Sequence, residues 1–344
     1  MPNLIRALSE NGGVVFVGID STGIVRTMEQ LHKTSAVTSA ALGRLLTAAA
    51  LIGAGLKSPT DKVTLRVNGG GPAGMVVAVA NGRGEVKGYV EHPVVELPAR
   101  ADGKLDVGGA VGHDGTLSVV RELGLKEPYV GQTPLVSGEI AEDVTAYYAY
   151  SQQTPTVCAL GVLVDRDLSI LNAGGFLVQL LPGAQEEEIA QLEKNVAGLA
   201  SVTQMLHEGK TPHDIMELVM AGFAPELLDE QEAAYVCGCT RAHVEDVMLS
   251  LGRQQLEELE REDPAAEVCC HYCGKKYALS IPQLLTRLTQ REQQRAQSAG
   301  EETAAVPENE PEAAQEQGSA AAPKNGPEAA QKPAGTAAPA AAHA

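Results

Sequence analysis

The sequence predicts an α+β fold in four successive parts. These are an N-terminal mixed sheet/helix domain (1–183), a helical linker subdomain (184–236), a small cysteine-bearing domain (237–290) and a disordered tail (291–344). Three observations carry the prediction. Before Gly183, apolar runs of strand character mix with a long Ala- and Leu-rich stretch, whereas after it apolar residues recur at three- and four-residue spacing. Net charge steps from −3 over residues 1–183 to −11 over 184–290, which places a boundary near Pro182-Gly183. Five of the six cysteines lie within the 37 residues 237–273.

Taken in order, GGVVFVGID (12–20) is a β-rich run closed by a turn. Residues 35–56 suit a closely packed buried helix, and DKVTLRVNGG (61–70) alternates with period two. NGGGPAG (68–74) lacks the Lys-Ser/Thr of a phosphate-binding loop and reads as a turn. Residues 74–90 read as a hairpin around Asn81-Gly82. A helix is predicted over 136–153 and strands over 156–165 and 170–182, with a bend or bulge at Asn172-Ala-Gly-Gly175. Beyond Gly183 come helical stretches, one with Thr211 as N-cap, Pro212 at the first helical position and Asp214 in the first turn. Helices are also read over 240–252, after it, and over 280–295, the last opening with a Ser-x-x-Gln capping box. From about Arg295 the chain is Ala, Pro, Glu, Gln and Gly, too poor in large apolar residues to offset chain entropy by burial.

Composition excludes several functions. The chain of 344 residues has net charge −18, which repels phosphate backbones, and with 3 Phe, 8 Tyr and no Trp it offers little for stacking on bases. No nucleic-acid partner is expected. The most apolar stretch, 45–56, has twelve residues between Arg44 and Lys57, against about twenty for a spanning helix. The N-terminus lacks the apolar core of a signal peptide, so a cytoplasmic protein with no membrane partner is expected. In a reducing compartment, clustered cysteines point to metal ligation or redox chemistry.

Cys237-Gly-Cys239 sets two thiols two residues apart, on one side of an extended chain. Cys270-His-Tyr-Cys273 followed by Gly274 has zinc-knuckle spacing. Together they supply four thiolates from two short loops, a set suited to one tetrahedral zinc ion. Cys269 forms a CxxxC with Cys273 and competes with Cys270, but spacing favours Cys270 and leaves Cys269 a bystander or spare thiol. His271 inside a knuckle is expected to be exposed, and Cys158 in an apolar strand to be a buried core residue. Four thiolates argue for a closed site, and neither HExxH nor a deaminase signature is present. No catalytic residue is assigned and no enzyme is expected. A structural zinc in a metabolic or nucleic-acid enzyme, or in an RNA-binding module, is the competing reading. Zinc keeps thiols as thiolates, the form peroxide attacks, and oxidation removes the ligands. Apparent zinc-binding free energies of about 10–16 kcal/mol exceed or match a whole domain's stability of about 5–15 kcal/mol, so such a cluster can act as a switch whose output is unfolding.

The sequence resembles the 33 kDa chaperonin (heat shock protein 33) family. The CxC and CxxC match its zinc centre. LIRALSENG (4–12), ALGRLLTAAALIGAGLK (41–57), GYVEHPVVELP (88–98), GKLDVG (103–108), GLKEPYVGQTPLVSGEIAED (124–143), ALGVLVD (159–165), NAGGFLVQLLPGA (172–184) and CHYCGKKY (270–277) look like family stretches in family order. The tail and the doubled Cys269-Cys270 depart from the pattern. The resemblance implies an ATP-independent holdase, nearly inactive when reduced and zinc-bound. It implies that peroxide or hypochlorous acid, together with unfolding conditions, forms disulfides Cys237–Cys239 and Cys270–Cys273, with loss of zinc and unfolding of the zinc module and linker. It further implies a homodimer when oxidised that holds unfolded client proteins for ATP-dependent foldase chaperones.

Overall fold

A computed structural model of the chain describes residues 3–304. It opens with a hairpin, β1 (Leu4–Ser9) and β2 (Val14–Asp20), and two helices, α1 (Thr22–His32) and α2 (Ala36–Gly53). An antiparallel meander follows, β3 (Lys62–Gly70), β4 (Val76–Asn81) and β5 (Glu85–Val90), then α3 (Val107–Val111), β6 (Gly112–Glu122) and β7 (Tyr129–Pro134). α4 (Ala141–Tyr147) runs into a π-helical turn, Tyr148–Gln152, before β8 (Thr156–Val164) and β9 (Ile170–Leu180). Next come α5 (Glu186–Ala197), α6 (Val202–His207), α7 (Pro212–Val219), β10 (Pro225–Gln231) and β11 (Ala234–Tyr235). The last elements are α8 (Arg241–Leu249), α9 (Arg253–Glu262), the hairpin β12 (Glu267–Cys269) and β13 (Lys276–Ala278), and α10 (Ile281–Ala304).

Two large sheets result, ordered β10-β1-β2-β9-β8 and β11-β5-β4-β3-β6-β7. All neighbouring pairs are antiparallel except β11 with β5. α2 lies against both sheets and is buried on nearly every side, with Leu42, Leu45, Leu46 and Leu51 almost wholly removed from water and Arg44 held by Glu139. Small residues allow the close approach: a Cβ on Gly43 would stand 2.9 Å from both Val25 and Val162. At 18 residues α2 exceeds the twelve-residue stretch read from sequence and is long and apolar enough to cross a membrane, yet 89% of it is buried inside the fold. The other face of the first sheet carries a second apolar cluster, in which stacked Phe16 and Phe176 meet Leu206, Ile215 and Val219 of the linker helices.

The predicted α+β class and most N-terminal elements agree with the structure. The β4–β5 turn closes because the Asn81 side-chain oxygen accepts from the amides of Arg83 and Glu85, with Gly84 at φ 78°. Thr211 caps α7 as read, its hydroxyl accepting from the Asp214 amide while the Asp214 carboxylate accepts from the Thr211 amide.

Several expectations are corrected. The helix predicted over 136–153 begins only at Ala141, because the buried Asp143 carboxylate gathers the amides of Val136, Ser137, Gly138 and Ile140 into a turn. The bulge expected at 172–175 falls just before that stretch, where the β8–β9 pairing shifts between Ile170 and Asn172; residues 172–175 themselves pair in register, and the absent Cβ of Gly174 leaves room for Leu206. The linker is not helical throughout 184–236, since residues 225–231 and 234–235 are strands on the edges of the two sheets. β10 owes its conformation to the free edge of β1, about 220 residues earlier, and not to its own acidic, mostly exposed sequence.

Residues up to Leu288 form one compact unit, and residues from Thr289 a second whose described part is helical. Of the tail expected to be disordered over 291–344, residues 291–304 instead continue α10, and the rest lies outside the described residues.

Candidate metal centre

The first cysteine loop follows directly from an edge strand. β11 pairs with β5, and the Val236 amide donates to the Val86 carbonyl at 2.9 Å. Cys237 therefore leaves the sheet at a fixed place, and three residues later the Thr240 hydroxyl caps α8 through the His243 amide. The second loop is the turn of the β12–β13 hairpin. Its register, Glu267 with Ala278, Val268 with Tyr277 and Cys269 with Lys276, holds the turn shut. The Cys270 carbonyl accepts from the amides of Cys273 (3.3 Å) and Gly274 (2.8 Å), with Gly274 in the left-handed region that its missing Cβ permits.

These loops bring four sulfurs together. The Sγ atoms of Cys237, Cys239, Cys270 and Cys273 all lie within 4.8 Å of one another. Across the loops, Cys237 to Cys270 is 3.7 Å and Cys239 to Cys273 is 3.4 Å. A tetrahedron of sulfurs about 2.3 Å from a central zinc ion has edges of about 3.8 Å, so donor set and spacing both fit that ion. Cys269 stands exposed outside the cluster, because strand alternation turns Val268 toward the apolar side and Cys269 away from it. His271 is exposed, as expected, and sits 5.4 Å from the Tyr89 ring in an edge-on arrangement. Cys158 is half-buried on the edge strand β8 rather than fully buried, though burial still pushes its thiol up to about 12.

Local chemistry sets Cys239 apart from Cys237 and Cys273. The Tyr277 hydroxyl lies 3.2 Å from the Cys239 sulfur and 3.0 Å from the Cys239 carbonyl. Its hydrogen bond favours the thiolate and brings Cys239 down to about 7. Burial pushes Cys273 up to about 12 and also raises Cys237. Without a cation, then, burial works against ionising Cys237 and Cys273. A divalent ion among the sulfurs reverses this, since its charge favours every thiolate it meets.

An aromatic surround missed by sequence reading encloses the second loop. The Tyr272 ring packs edge-on against Tyr89 at 5.4 Å, and the Lys87 ammonium lies 4.6 Å from the Tyr272 ring centre. The Tyr235 hydroxyl sits 2.9 Å from the Gly88 carbonyl and 3.2 Å from His32 Nε2, and it also hydrogen-bonds the Tyr272 carbonyl. The partners come from residues far apart in sequence, so spacing carried no signal of them.

Comparison with known proteins bears on this arrangement. A family model described as Hsp33 protein matches residues 3–280. A 33 kDa chaperonin from Clostridioides difficile (strain 630) is 47% identical over 282 residues, covering 82% of this chain and 97% of that protein. One from Alkaliphilus metalliredigens (strain QYMF) is 43% identical over 281 residues, covering 82% and 96%. The crystal structure of the 33 kDa chaperonin (heat shock protein 33 homolog) from Thermotoga maritima superimposes with a TM-score of 0.75 at 36% identity, covering 85% of this chain and 100% of that one. With the fold, the cysteine spacing and these matches in agreement, the chain belongs to the Hsp33 protein family.

Proposed function

We propose that this protein is a chaperone of the holdase type, independent of ATP, whose activity is controlled by the redox state of the four clustered cysteines. The observation that carries the reading is the convergence of Cys237, Cys239, Cys270 and Cys273 from two loops into a group within 4.8 Å, in a chain of the Hsp33 family. Zinc is the proposed metal, and when bound it holds the four sulfurs as thiolates and clips the loops together. The protein is proposed to act in the cytoplasm and to catalyse no reaction.

With hydrogen peroxide as oxidant, two thiolates give up two electrons and an S–S bond forms, while the O–O bond breaks and two waters leave with two protons taken from solvent. The proposed pairs are Cys237–Cys239 and Cys270–Cys273. Sulfurs bonded to each other can no longer serve as thiolate ligands. The loops then lose their common anchor. Residues 237–290 are the proposed switch and 184–236 the linker it releases. Residues 1–183 are the proposed client-binding and dimerisation domain. Beneath the linker helices lies the apolar face of the first sheet, with Ile5, Phe16, Phe176 and Val178 buried by Leu192, Met205, Leu206 and Val219. Lifting those helices would offer unfolded clients a large apolar surface. The oxidised form is proposed to dimerise and to pass clients to ATP-dependent foldases.

The test compares suppression of client aggregation by reduced, metal-loaded protein and by peroxide-treated protein, without ATP. Suppression by the oxidised form alone is the expected result. Equal suppression by both removes the switch, and metal release without any gain of suppression favours a structural zinc site. Peptide mapping of the oxidised thiols checks the pairing against the cross-loop alternatives Cys237–Cys270 and Cys239–Cys273, whose sulfurs lie 3.7 and 3.4 Å apart.

A further inference from the structure

We propose that an aromatic latch on strand β5 fastens both cysteine loops to the N-terminal body, and that its strength sets how readily opening of the loops is passed to the linker. This deepens the switch proposed above and rests on it.

β5 is built to present such a latch. Its alternation turns Val86, Gly88 and Val90 into the core and Lys87 and Tyr89 outward. The inward face is rigid: a Cβ on Gly88 would stand 2.9 Å from Leu46 and 3.1 Å from Leu42 of α2. On the outward face, Tyr89 receives Tyr272 and His271 edge-on, each at 5.4 Å, and Lys87 lies over the Tyr272 ring. The second cysteine loop is thus held by its two central residues, while the flanking Cys270 and Cys273 face the sulfur cluster.

The first loop is held on the same strand by other means. Ala234 and Val236 donate their amides to the Gly84 and Val86 carbonyls. Tyr235 between them joins the two attachments, because its hydroxyl reaches Gly88 on β5 and the carbonyl of Tyr272 in the second loop. None of these contacts uses a cysteine sulfur. They form a second, metal-independent tie between the loops and the body, and the tie continues into β11 and β10. A tie of this kind makes local opening less frequent even while the sulfurs stay reduced. The two edge-on pairs that Tyr89 makes with Tyr272 and His271 are together worth about a tenfold change in such an opening.

The decisive variant is Tyr89→Ala, on the body side and away from every cysteine, with Tyr89→Phe as the control that keeps the ring. Amide hydrogen exchange is measured on the full, reduced, metal-loaded protein, with bound metal quantified by elemental spectroscopy. Tyr89→Ala is expected to exchange about tenfold faster at 84–90 and 233–236 than wild type, with metal retained, and to gain aggregation suppression at a lower peroxide dose. Tyr89→Phe should match wild type. Exchange within twofold of wild type in Tyr89→Ala overturns the latch. If that variant emerges without metal, it is compared with metal-free wild type; faster exchange supports the latch and equal exchange overturns it. Failure of the oxidised wild type to suppress aggregation would sink the holdase reading instead, while the exchange result would still decide the latch.

Discussion

The N-terminal body and the cysteine module are held together by different physics. The body buries a continuous apolar cluster around α2, 43 residues among those described, including Leu45, Leu46, Leu65 and Val119. The cysteine module has nine buried residues in its cluster among those described, centred on Met248, Leu256, Tyr277 and Ile281. A core that small does not ordinarily sustain a fold without a staple. Four converging thiols are the staple available, and one that chemistry can undo. A fold stapled by thiolates is open to the oxidants that a buried apolar core resists.

Removing the metal should break the comparison most visibly. Chelation of the reduced protein is expected to melt 237–288 while α2 and the two sheets keep their exchange protection, because structural zinc contributes about 10–16 kcal/mol in small sites. Cys270→Ser should likewise abolish stoichiometric metal by elemental spectroscopy, and Cys269→Ser should leave it intact. Retained metal in the first variant, or lost metal in the second, would show that the geometry of the turn misassigns the fourth sulfur.

On the body side, Leu46→Ala truncates a side chain with no exposure. It should lower stability in urea by about 2–5 kcal/mol without changing metal content. A loss of metal would mean the two regions are not separable. In the linker, Thr211→Ala removes both hydrogen bonds that the capping hydroxyl makes with Asp214 and should cost about 1 kcal/mol in the same measurement.

The smallest expected effect is a pH dependence. Burial lowers His32 below its ordinary 6.5, and its ring faces the Tyr235 hydroxyl. The unfolded chain then takes up the proton more readily than the folded one. The stability linked to neutral His32 is therefore fully present above about 6.5 and drains away as pH falls through and below that value. Urea midpoints at pH 7.5 and 5.5 should differ less in His32→Asn than in wild type, and an unchanged difference would remove His32 as a contributor.

Much of this was legible in the residues. The period-two run 61–70, the Asn81-Gly82 turn and the Ala/Leu-rich helix declare themselves locally, because each is set by the side chains it contains. The four sulfurs were legible too, as two short-range pairs whose spacing is itself the signal. The strand character of 225–235 was not. PELLDEQ has no apolar alternation, and what makes it a strand is the β1 edge it pairs with. Nor was the meeting of Tyr89, Tyr235 and Tyr272, which sit on three separate segments.

The sequence alone determined the fold class, the helix α2, the strands β2–β5, β8 and β9, and the two cysteine pairs that converge, since each depends on residues close together along the chain. Only the tertiary structure decided which edge each linker strand would close, that Cys269 turns away, and that both cysteine loops rest on β5. Those outcomes depend on backbone edges and ring faces supplied by distant segments, and such contacts exist only once the chain has folded back on itself.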